Sequence, residues 1–187
     1  MDALRSALEA FEPRSADEAR DVELVRRLAA AGDPWTRSSP LHATASALVV
    51  HPPSRRVLLR WHDRMGSWLQ VGGHGDPGED DPYAIALREA REETGLADLV
   101  AWPDAARPAL VQVVIVPVPA GRGEPTHQHA DLRYALATAR PEAVVPESES
   151  ARLAWLSLED ALAQVAEENL RVCLRRIDAL WTPDAAS

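Results

Sequence analysis

The sequence predicts an α/β protein: an α/β/α sandwich in which helices cover both faces of a mixed β-sheet, preceded by an N-terminal helical extension. Three observations predict this architecture. Residues 1–38 have helical periodicity, residues from 39 to about 156 are mostly strand-like with one amphipathic helix, and the remaining residues return to helical periodicity. We therefore divide the 187 residues into an extension over 1–38 and a main domain over 39–187.

The extension is predicted to be a helical hairpin. Leu4, Leu8 and Phe11 have the i, i+4, i+7 spacing of one helix face. Ser15 is a suitable N-cap for a second helix, because Glu18 follows at the capping-box distance. We expect the hairpin to pack against the main domain. A mobile lid or a homodimer contact is the alternative that the sequence leaves open.

The strands and helices of the main domain follow from periodicity and from turn-forming residues. Ser157 is expected to cap a short helix, and the last helix has an apolar face with Cys173 in its middle. That position predicts core packing for Cys173 rather than reactivity. The predicted strands are 41–51, 56–62, 67–71, 109–118, 129–138 and 152–156, and the predicted central helix is 82–94.

Composition excludes several classes of function. The 29 acidic residues outnumber the 20 basic ones, all of them arginine, so the net charge is −9. Without a basic cluster, we expect neither a nucleic-acid polymer nor a membrane surface as partner.

The absence of lysine excludes a Schiff base or a P-loop lysine, and a single cysteine excludes a disulfide within the chain. The sequence contains no recognisable signal peptide, so we expect a cytoplasmic protein.

The central helix carries an unusual acidic face. Asp81 is a good N-cap and Pro82 a good first helical residue, so the helix is expected to begin there. Glu89, Glu92 and Glu93 then fall at i, i+3 and i+4 on one face, where like charges repel. Such a face is tolerated when it is solvated and interleaved with arginine, or when a divalent cation binds it. Oxygen ligands suit Mg²⁺, Mn²⁺ or Ca²⁺.

The residues before this helix favour the cation. Gly72 and Gly73 end a strand at a point where the backbone can be approached closely. Asp76 and Glu79 then add two carboxylates in a loop that leads directly into the acidic helix. Mg²⁺ typically binds through a few carboxylates together with substrate phosphate oxygens, and this arrangement provides such a cradle.

This segment resembles the Nudix hydrolase signature, G-x5-E-x7-R-E-U-x-E-E-x-G-U, where U is aliphatic. The match begins at Gly73 and Glu79 and continues without a gap over residues 88–96, which read REAREETGL. One extra residue separates Glu79 from Arg88. If the signature is aligned from Arg88 without a gap, Asp80 takes the place of its first glutamate and His74 that of its glycine. We favour instead an insertion of one residue before the helix, which keeps Gly73 and Glu79 in those places.

The resemblance implies a Mg²⁺- or Mn²⁺-dependent hydrolase that cleaves the diphosphate linkage of a nucleoside diphosphate derivative. It implies Glu89, Glu92, Glu93 and the carbonyl of Gly73 as metal ligands, with Glu89 the alternative general base. Arg88 would orient the carboxylates by pairing with Glu92 or with Glu79. The implied catalytic residues are therefore Glu89, Glu92 and Arg88.

A second group of polar residues lies outside the signature. Strand alternation places His127, His129, Asp131 and Arg133 on one face, with the intervening residues toward the core. We interpret these four residues, together with Arg60, as substrate-binding. A solvated strand face is the alternative, and a transition-metal site formed by the two histidines and Asp131 is a weaker one. On the first strand, three alternating polar residues could line the same cleft: His42, Thr44 and Ser46.

Two other functions remain open at the level of sequence. One is a non-catalytic Nudix-like sensor that binds a nucleotide, although such modules usually lose glutamates that are present here. The other is an enzyme similar to isopentenyl diphosphate isomerase, which uses a catalytic cysteine; the predicted position of Cys173 argues against it. The nucleotide itself is not determined, because specificity depends on loops outside the signature.

Overall fold

The computed structural model describes residues 2–63, 65–121 and 123–181. The helices are α1 (Asp2–Ala10), α2 (Ala16–Ala31), α3 (Pro82–Thr94), α4 (Leu158–Gln164) and α5 (Glu168–Trp181). The strands are β1 (Leu41–His51), β2 (Arg56–His62), β3 (Ser67–Leu69), β4 (Val71–Gly73), β5 (Val100–Ala101), β6 (Leu110–Val118), β7 (His127–Ala137) and β8 (Leu153–Ser157). Strand β5 was not predicted, and the strand expected at 67–71 is divided into β3 and β4.

The eight strands form one mixed sheet. Its centre is the parallel pair β1 and β7, in which Thr44 lies opposite Asp131 and Ser46 opposite Arg133. Strands β2 and β4 pair antiparallel with β1, β3 and β8 pair antiparallel with β2, and β5 and β6 pair antiparallel with β7. The polar residues predicted on two distant strands are therefore direct neighbours at the centre of the sheet.

Helices cover both faces of the sheet, which confirms the predicted α/β/α sandwich. One buried cluster joins α1, α2 and α3 to the sheet, and Ala45 of β1 and Ala90 of α3 are among the small residues packed in it. The second cluster joins α4 and α5 to the opposite face through residues such as Leu48 and Leu174. Cys173 is fully buried in this second cluster, as the sequence predicted.

The N-terminal helices form part of the main core. Leu8 and Val25 are buried together with residues of the sheet, so the extension packs as expected. Helix α2 also covers an edge of the sheet. The N–H groups of Val113 and Ile115 in β6 donate to the carboxylates of Glu18 (3.3 Å) and Asp21 (3.0 Å). Side chains of α2 thus satisfy backbone donors that an edge strand would otherwise leave open.

Glu18 joins α2 to α5 across this edge. Its carboxylate accepts hydrogen bonds from both terminal nitrogens of Arg176, at 2.6 and 2.9 Å, and Arg176 also donates to the carbonyl of Val111. Burial alone would raise the pKa of Glu18. The hydrogen bonds from Arg176 and from the Arg14 N–H outweigh burial, so the pKa lies below its usual value.

The capping box expected at the start of α2 is only half formed, because the Glu18 carboxylate accepts from the N–H of Arg14 and not from that of Ser15.

The predicted helix ends are confirmed by their caps. Ser15 and Ser157 accept hydrogen bonds from the N–H groups of Glu18 and Asp160. Asp81 accepts from the N–H groups of Tyr83 and Ala84 and starts α3. Gly95 ends α3 in the left-handed conformation, with φ 68°. Among the residues described, none of the helices combines the length and the apolar character that crossing a membrane requires.

Candidate active site

The two glycines of β4 allow the main chain to lie against the acidic helix. A Cβ atom on Gly73 would come within 2.6 Å of the Glu89 carboxyl carbon, so a side chain there would displace this carboxylate. Gly72 has φ +148° and leaves no room for a Cβ against Ser46 of β1. Its N–H donates to Glu93 at 3.3 Å. The end of β4 thus lies directly against Glu89 and Glu93, and the role of the Gly73 carbonyl as a metal ligand stays a prediction.

Glu93 is the most buried of the three helix carboxylates. It is 7% exposed and accepts a hydrogen bond of 2.7 Å from Nη1 of Arg60. Burial raises its pKa to about 7, against the opposing effect of Arg60. The other terminal nitrogen of Arg60 donates to Glu147, so Arg60 lies between two carboxylates.

Arg88 organises the remaining carboxylates. Its guanidinium donates to Glu79 from Nε (3.0 Å) and Nη2 (2.9 Å), and to Glu89 (3.0 Å) and Glu92 (3.1 Å) from Nη1. Nη2 also donates to the carbonyl of His74 at 2.9 Å. The hydrogen bond to Glu79 is the main reason that the pKa of Arg88 is raised. Arg88 therefore bonds both partners that the sequence left open, and Glu79 has the position expected if the extra residue lies before α3.

The carboxylates differ in their exposure to solvent. The Glu89 side chain is 16% exposed and that of Glu92 is 57% exposed. Burial raises the pKa of Glu89, although Arg88 opposes the shift. Glu89 and Glu93 present carboxylate oxygens at the end of β4, and oxygen ligands suit Mg²⁺ or Mn²⁺ better than a metal that prefers nitrogen or sulfur.

The acidic helix and β7 meet at one cavity of about 330 Å³. Each residue predicted to bind substrate contributes to its lining, and so do Gly72, Gly73, His74 and Glu93. The predicted substrate-binding residues in the lining are Arg60, His127, His129, Asp131 and Arg133. The structure thus brings together the two groups of residues that the sequence analysis treated separately. Direct contact with substrate stays a prediction for each of them.

Arg133 and Asp131 form a buried polar network at this cavity. Arg133 is 1% exposed, and it donates to Asp131 at 2.8 Å and to Gln112 at 3.0 Å. Asp131 also accepts hydrogen bonds from Thr44, Ser46 and Gln70. The geometry favours a positioning role for Arg133, since its guanidinium is engaged by protein groups. Sequence periodicity could not reveal this network, because its members come from strands far apart in the chain.

Four histidines cluster beside the cavity, and His74, His127 and His129 are part of its lining. His42 lies opposite His129 in the pairing of β1 with β7. The Nε2 atoms are 3.1 Å apart in the pair His42 and His74, and also in the pair His127 and His129. Burial and the neighbouring histidines lower the pKa of His74 to about 3 and that of His129 to about 4, so both rings are neutral at pH 7.

The site has counterparts among known proteins. The family model for the NUDIX domain matches residues 40–177. A NUDIX-family hydrolase from Clostridium perfringens is 26% identical, with a TM-score of 0.56 over 74% of this chain and 95% of that chain. An Ap4A hydrolase from C. elegans is 20% identical (TM-score 0.56; 73% of this chain, 95% of that one). The dihydroneopterin triphosphate pyrophosphohydrolase of E. coli is 17% identical (TM-score 0.55; 74% and 94%). No curated protein matches the sequence.

The family match covers most of the chain, including β4, α3 and the cavity. The latter two structures, at low identity, show a common fold, and their substrates do not transfer with it. The signature residues are all present, and Gly73, Glu89 and Glu93 meet at the end of β4. The chain therefore belongs to the Nudix family and is a Nudix hydrolase, an enzyme of the pyrophosphohydrolase type.

Proposed function

We propose that this protein hydrolyses the diphosphate linkage of a nucleoside diphosphate derivative with the help of Mg²⁺ or Mn²⁺. One observation carries the proposal: Glu89, Glu93 and the backbone of Gly73 converge beside a cavity that can hold a small molecule. Its volume of about 330 Å³ lies within the range of ligand pockets.

The proposed ligands are Glu89, Glu92, Glu93 and the carbonyl of Gly73. When bound there, a divalent cation would neutralise diphosphate charge and lower the pKa of an attacking water. Arg88 orients Glu89 and Glu92 through hydrogen bonds, and it also donates to Glu79. The alternative role that we propose for Glu89, in place of metal binding, is that of general base, because burial raises its pKa.

Positive charge is scarce at the cavity, so the bound cation has to supply most of it. Residues 76–93 contain seven acidic residues and two arginines, which accounts for five of the nine net negative charges. Among the lining residues described, Arg60 and Arg133 are the arginines, and Arg133 is buried. We propose Arg60 as the side chain that meets a substrate phosphate, because it is 26% exposed, although its guanidinium also bonds Glu93 and Glu147.

The test is a hydrolysis screen with Mg²⁺ and Mn²⁺ over a panel of nucleotide diphosphate derivatives. The panel includes nucleoside triphosphates, ADP-ribose, dinucleoside polyphosphates and sugar nucleotides. Glu93→Gln keeps the shape of the side chain and removes its charge, and we expect at least a hundredfold loss of kcat/KM. Glu159→Gln, on the exposed surface of α4, is the matched control and should keep full activity. Full activity of Glu93→Gln would contradict the site assignment.

The same screen, with isopentenyl diphosphate added to the panel, separates the two other functions that the sequence left open. Hydrolysis in ¹⁸O-labelled water places the label in a phosphate product and identifies the phosphorus attacked. An isomerase would release an isomer without label. Burial raises the pKa of the Cys173 thiol to about 11, so this cysteine is not suited to that chemistry. A sensor would bind a member of the panel tightly without turnover.

A further inference from the structure

The histidine cluster borders the same cavity as the carboxylate site but is formed by different side chains. It contains His42 of β1, His74 directly after β4, and His127 and His129 of β7. Ligand nitrogens of His42, His74 and His129 all lie within 4.8 Å of one another. His42 is 1% exposed and the other three rings are partly buried, so β1, β7 and the residue after β4 contribute rings to a partly enclosed cluster. None of these side chains takes part in the hydrogen bonds that organise Glu89 and Glu93.

Backbone carbonyls determine the protonation of two of the rings. The Nδ1 atoms of His42 and His127 lie 2.8 Å and 2.9 Å from the carbonyls of Ser39 and Pro125. A carbonyl can only accept, so each Nδ1 carries the hydrogen and each Nε2 has a free lone pair in the neutral ring. These lone pairs point at the Nε2 atoms of His74 and His129. A carbonyl on the far nitrogen is the support that metal-bound histidines usually have.

The spacing of the rings suits a tetrahedral metal. Nitrogen ligands at about 2.0–2.1 Å from Zn²⁺ lie roughly 3.3 Å apart in a tetrahedron. The two Nε2 pairs are each 3.1 Å apart, close to this spacing, and the ligand nitrogens of His42, His74 and His129 all lie within 4.8 Å of one another. A set of imidazoles selects Zn²⁺, Ni²⁺ or Cu²⁺ and disfavours Mg²⁺, which prefers oxygen. Asp131 is not part of the set, because its oxygens are bound by Thr44, Ser46 and Arg133.

We propose that His42, His74 and His129 bind a Zn²⁺ ion, with His127 as the fourth ligand. This site would join the loop after β4 to β1 and β7. His74 follows Gly73 in the chain, and its carbonyl accepts a hydrogen bond from Arg88. Zn²⁺ at the cluster would therefore hold the start of the loop between β4 and α3, where the His74 carbonyl contacts Arg88. The proposal does not depend on the hydrolysis proposed above, but it assigns His127 and His129 to the metal instead of to direct contact with substrate.

The experiment uses the full chain without a polyhistidine tag, stripped of metal with a chelator. Zn²⁺ is titrated calorimetrically, and metal content is measured after dialysis. Co²⁺ is used as a spectroscopic probe, since four nitrogen ligands in a tetrahedron give intense visible absorption and octahedral Co²⁺ does not. We expect one Zn²⁺ per chain and a tetrahedral Co²⁺ spectrum.

The variants are His74→Asn and His129→Asn, with His51→Asn as the matched control outside the cluster. Each cluster variant should weaken Zn²⁺ binding at least tenfold and lose the Co²⁺ spectrum, and His51→Asn should keep both. Glu93→Gln should bind Zn²⁺ like the unmodified protein, which distinguishes this site from the carboxylate site. Absence of Zn²⁺ binding, or an octahedral Co²⁺ spectrum in the unmodified protein, overturns the proposal. Both of these outcomes are measured on the unmodified protein, so they test the proposal even if a cluster variant does not fold.

Discussion

Gly73 shows how one residue without a side chain sets the position of a carboxylate. A Cβ atom there would come within 2.6 Å of the Glu89 carboxyl group. We expect Gly73→Ala to lower kcat/KM about a hundredfold, because displacing a reacting group by about 1 Å has effects of this size. Steady-state kinetics with the best substrate measures this. Gly32→Ala is the control, since its Cβ would meet nothing within 4 Å. Equal losses in both variants would contradict the explanation.

The protonation state of Glu93 is expected to make cation binding at the proposed site depend on pH. Its pKa of about 7 lies above the ordinary value of 4.5, so between these values the folded protein retains a proton that the unfolded chain has lost. Without metal, this carboxyl group therefore destabilises the fold as pH rises through that window. Mg²⁺ requires the ionised form. We expect the Mg²⁺-induced rise in Tm to be small at about pH 5.5 and larger at about pH 8.

Thermal unfolding with and without Mg²⁺ across this range tests the prediction. Glu93→Gln does not titrate, so its response to Mg²⁺ should be weak and should change little with pH. A rise in Tm that is independent of pH in the unmodified protein would show that Glu93 does not control binding of the cation.

Arg88 illustrates why arginine and lysine are not equivalent at such a site. Its planar guanidinium bonds Glu79, Glu89 and Glu92 in different directions and also the carbonyl of His74. Lysine keeps the charge but cannot make this set of bonds. We expect Arg88→Lys to weaken apparent Mg²⁺ affinity about 10- to 100-fold, as for other groups that orient metal ligands. Mg²⁺ dependence of the rate is the measurement, and Arg91→Lys on the exposed side of α3 should be unchanged.

At the scale of elements, side chains of α2 bind backbone N–H groups of the edge strand β6, as a neighbouring strand would do. Glu18 is 5% exposed and pairs with the buried Arg176, so loss of its carboxylate would leave a buried cation and an unsatisfied N–H group. We expect Glu18→Ala to lower the free energy of unfolding by about 3–5 kcal/mol, measured by urea denaturation. Because the pKa of Glu18 is lowered, its stabilisation is present above pH 4.5 and is lost as pH falls further.

The control for this prediction is the exposed pair Arg27 and Glu23 on the same helix. These side chains are 71% and 51% exposed, and Glu23→Ala should cost less than about 1 kcal/mol. If Glu18→Ala were no more destabilising than Glu23→Ala, the edge contact would contribute nothing to stability.

At the scale of the whole molecule, the N-terminal helices complete the core, so removing them should prevent folding. Deletion of residues 1–38 would expose β6 and the buried face that holds Leu8 and Val25. We expect the truncated chain to aggregate or to unfold without cooperativity, as monitored by circular dichroism and size-exclusion chromatography. A folded, soluble truncated protein with altered activity would favour the lid instead. A homodimer contact through these helices stays a prediction.

Local patterns were sufficient for much of the fold and for the acidic part of the site. The helix over 82–94 follows from Asp81, Pro82 and Gly95, which act through neighbouring backbone groups. Glu89, Glu92 and Glu93 share a face because the helical period places them there. The two-residue strand β5 was missed, because its pairing with β7 leaves no periodic signal of its own.

The sequence alone determined the sandwich architecture and the signature, since these depend on spacing within short segments. It also predicted the cation ligands, which stay a prediction. Only the tertiary structure decided what distant segments do together. The parallel pairing of β1 with β7 places His42 beside His129 and Ser46 beside Arg133. The tertiary structure also buries Arg133 against Asp131, and it brings Glu18 into contact with β6 and α5. The physical reason is that burial and cross-strand contacts arise between residues up to 158 positions apart, and no local period records them.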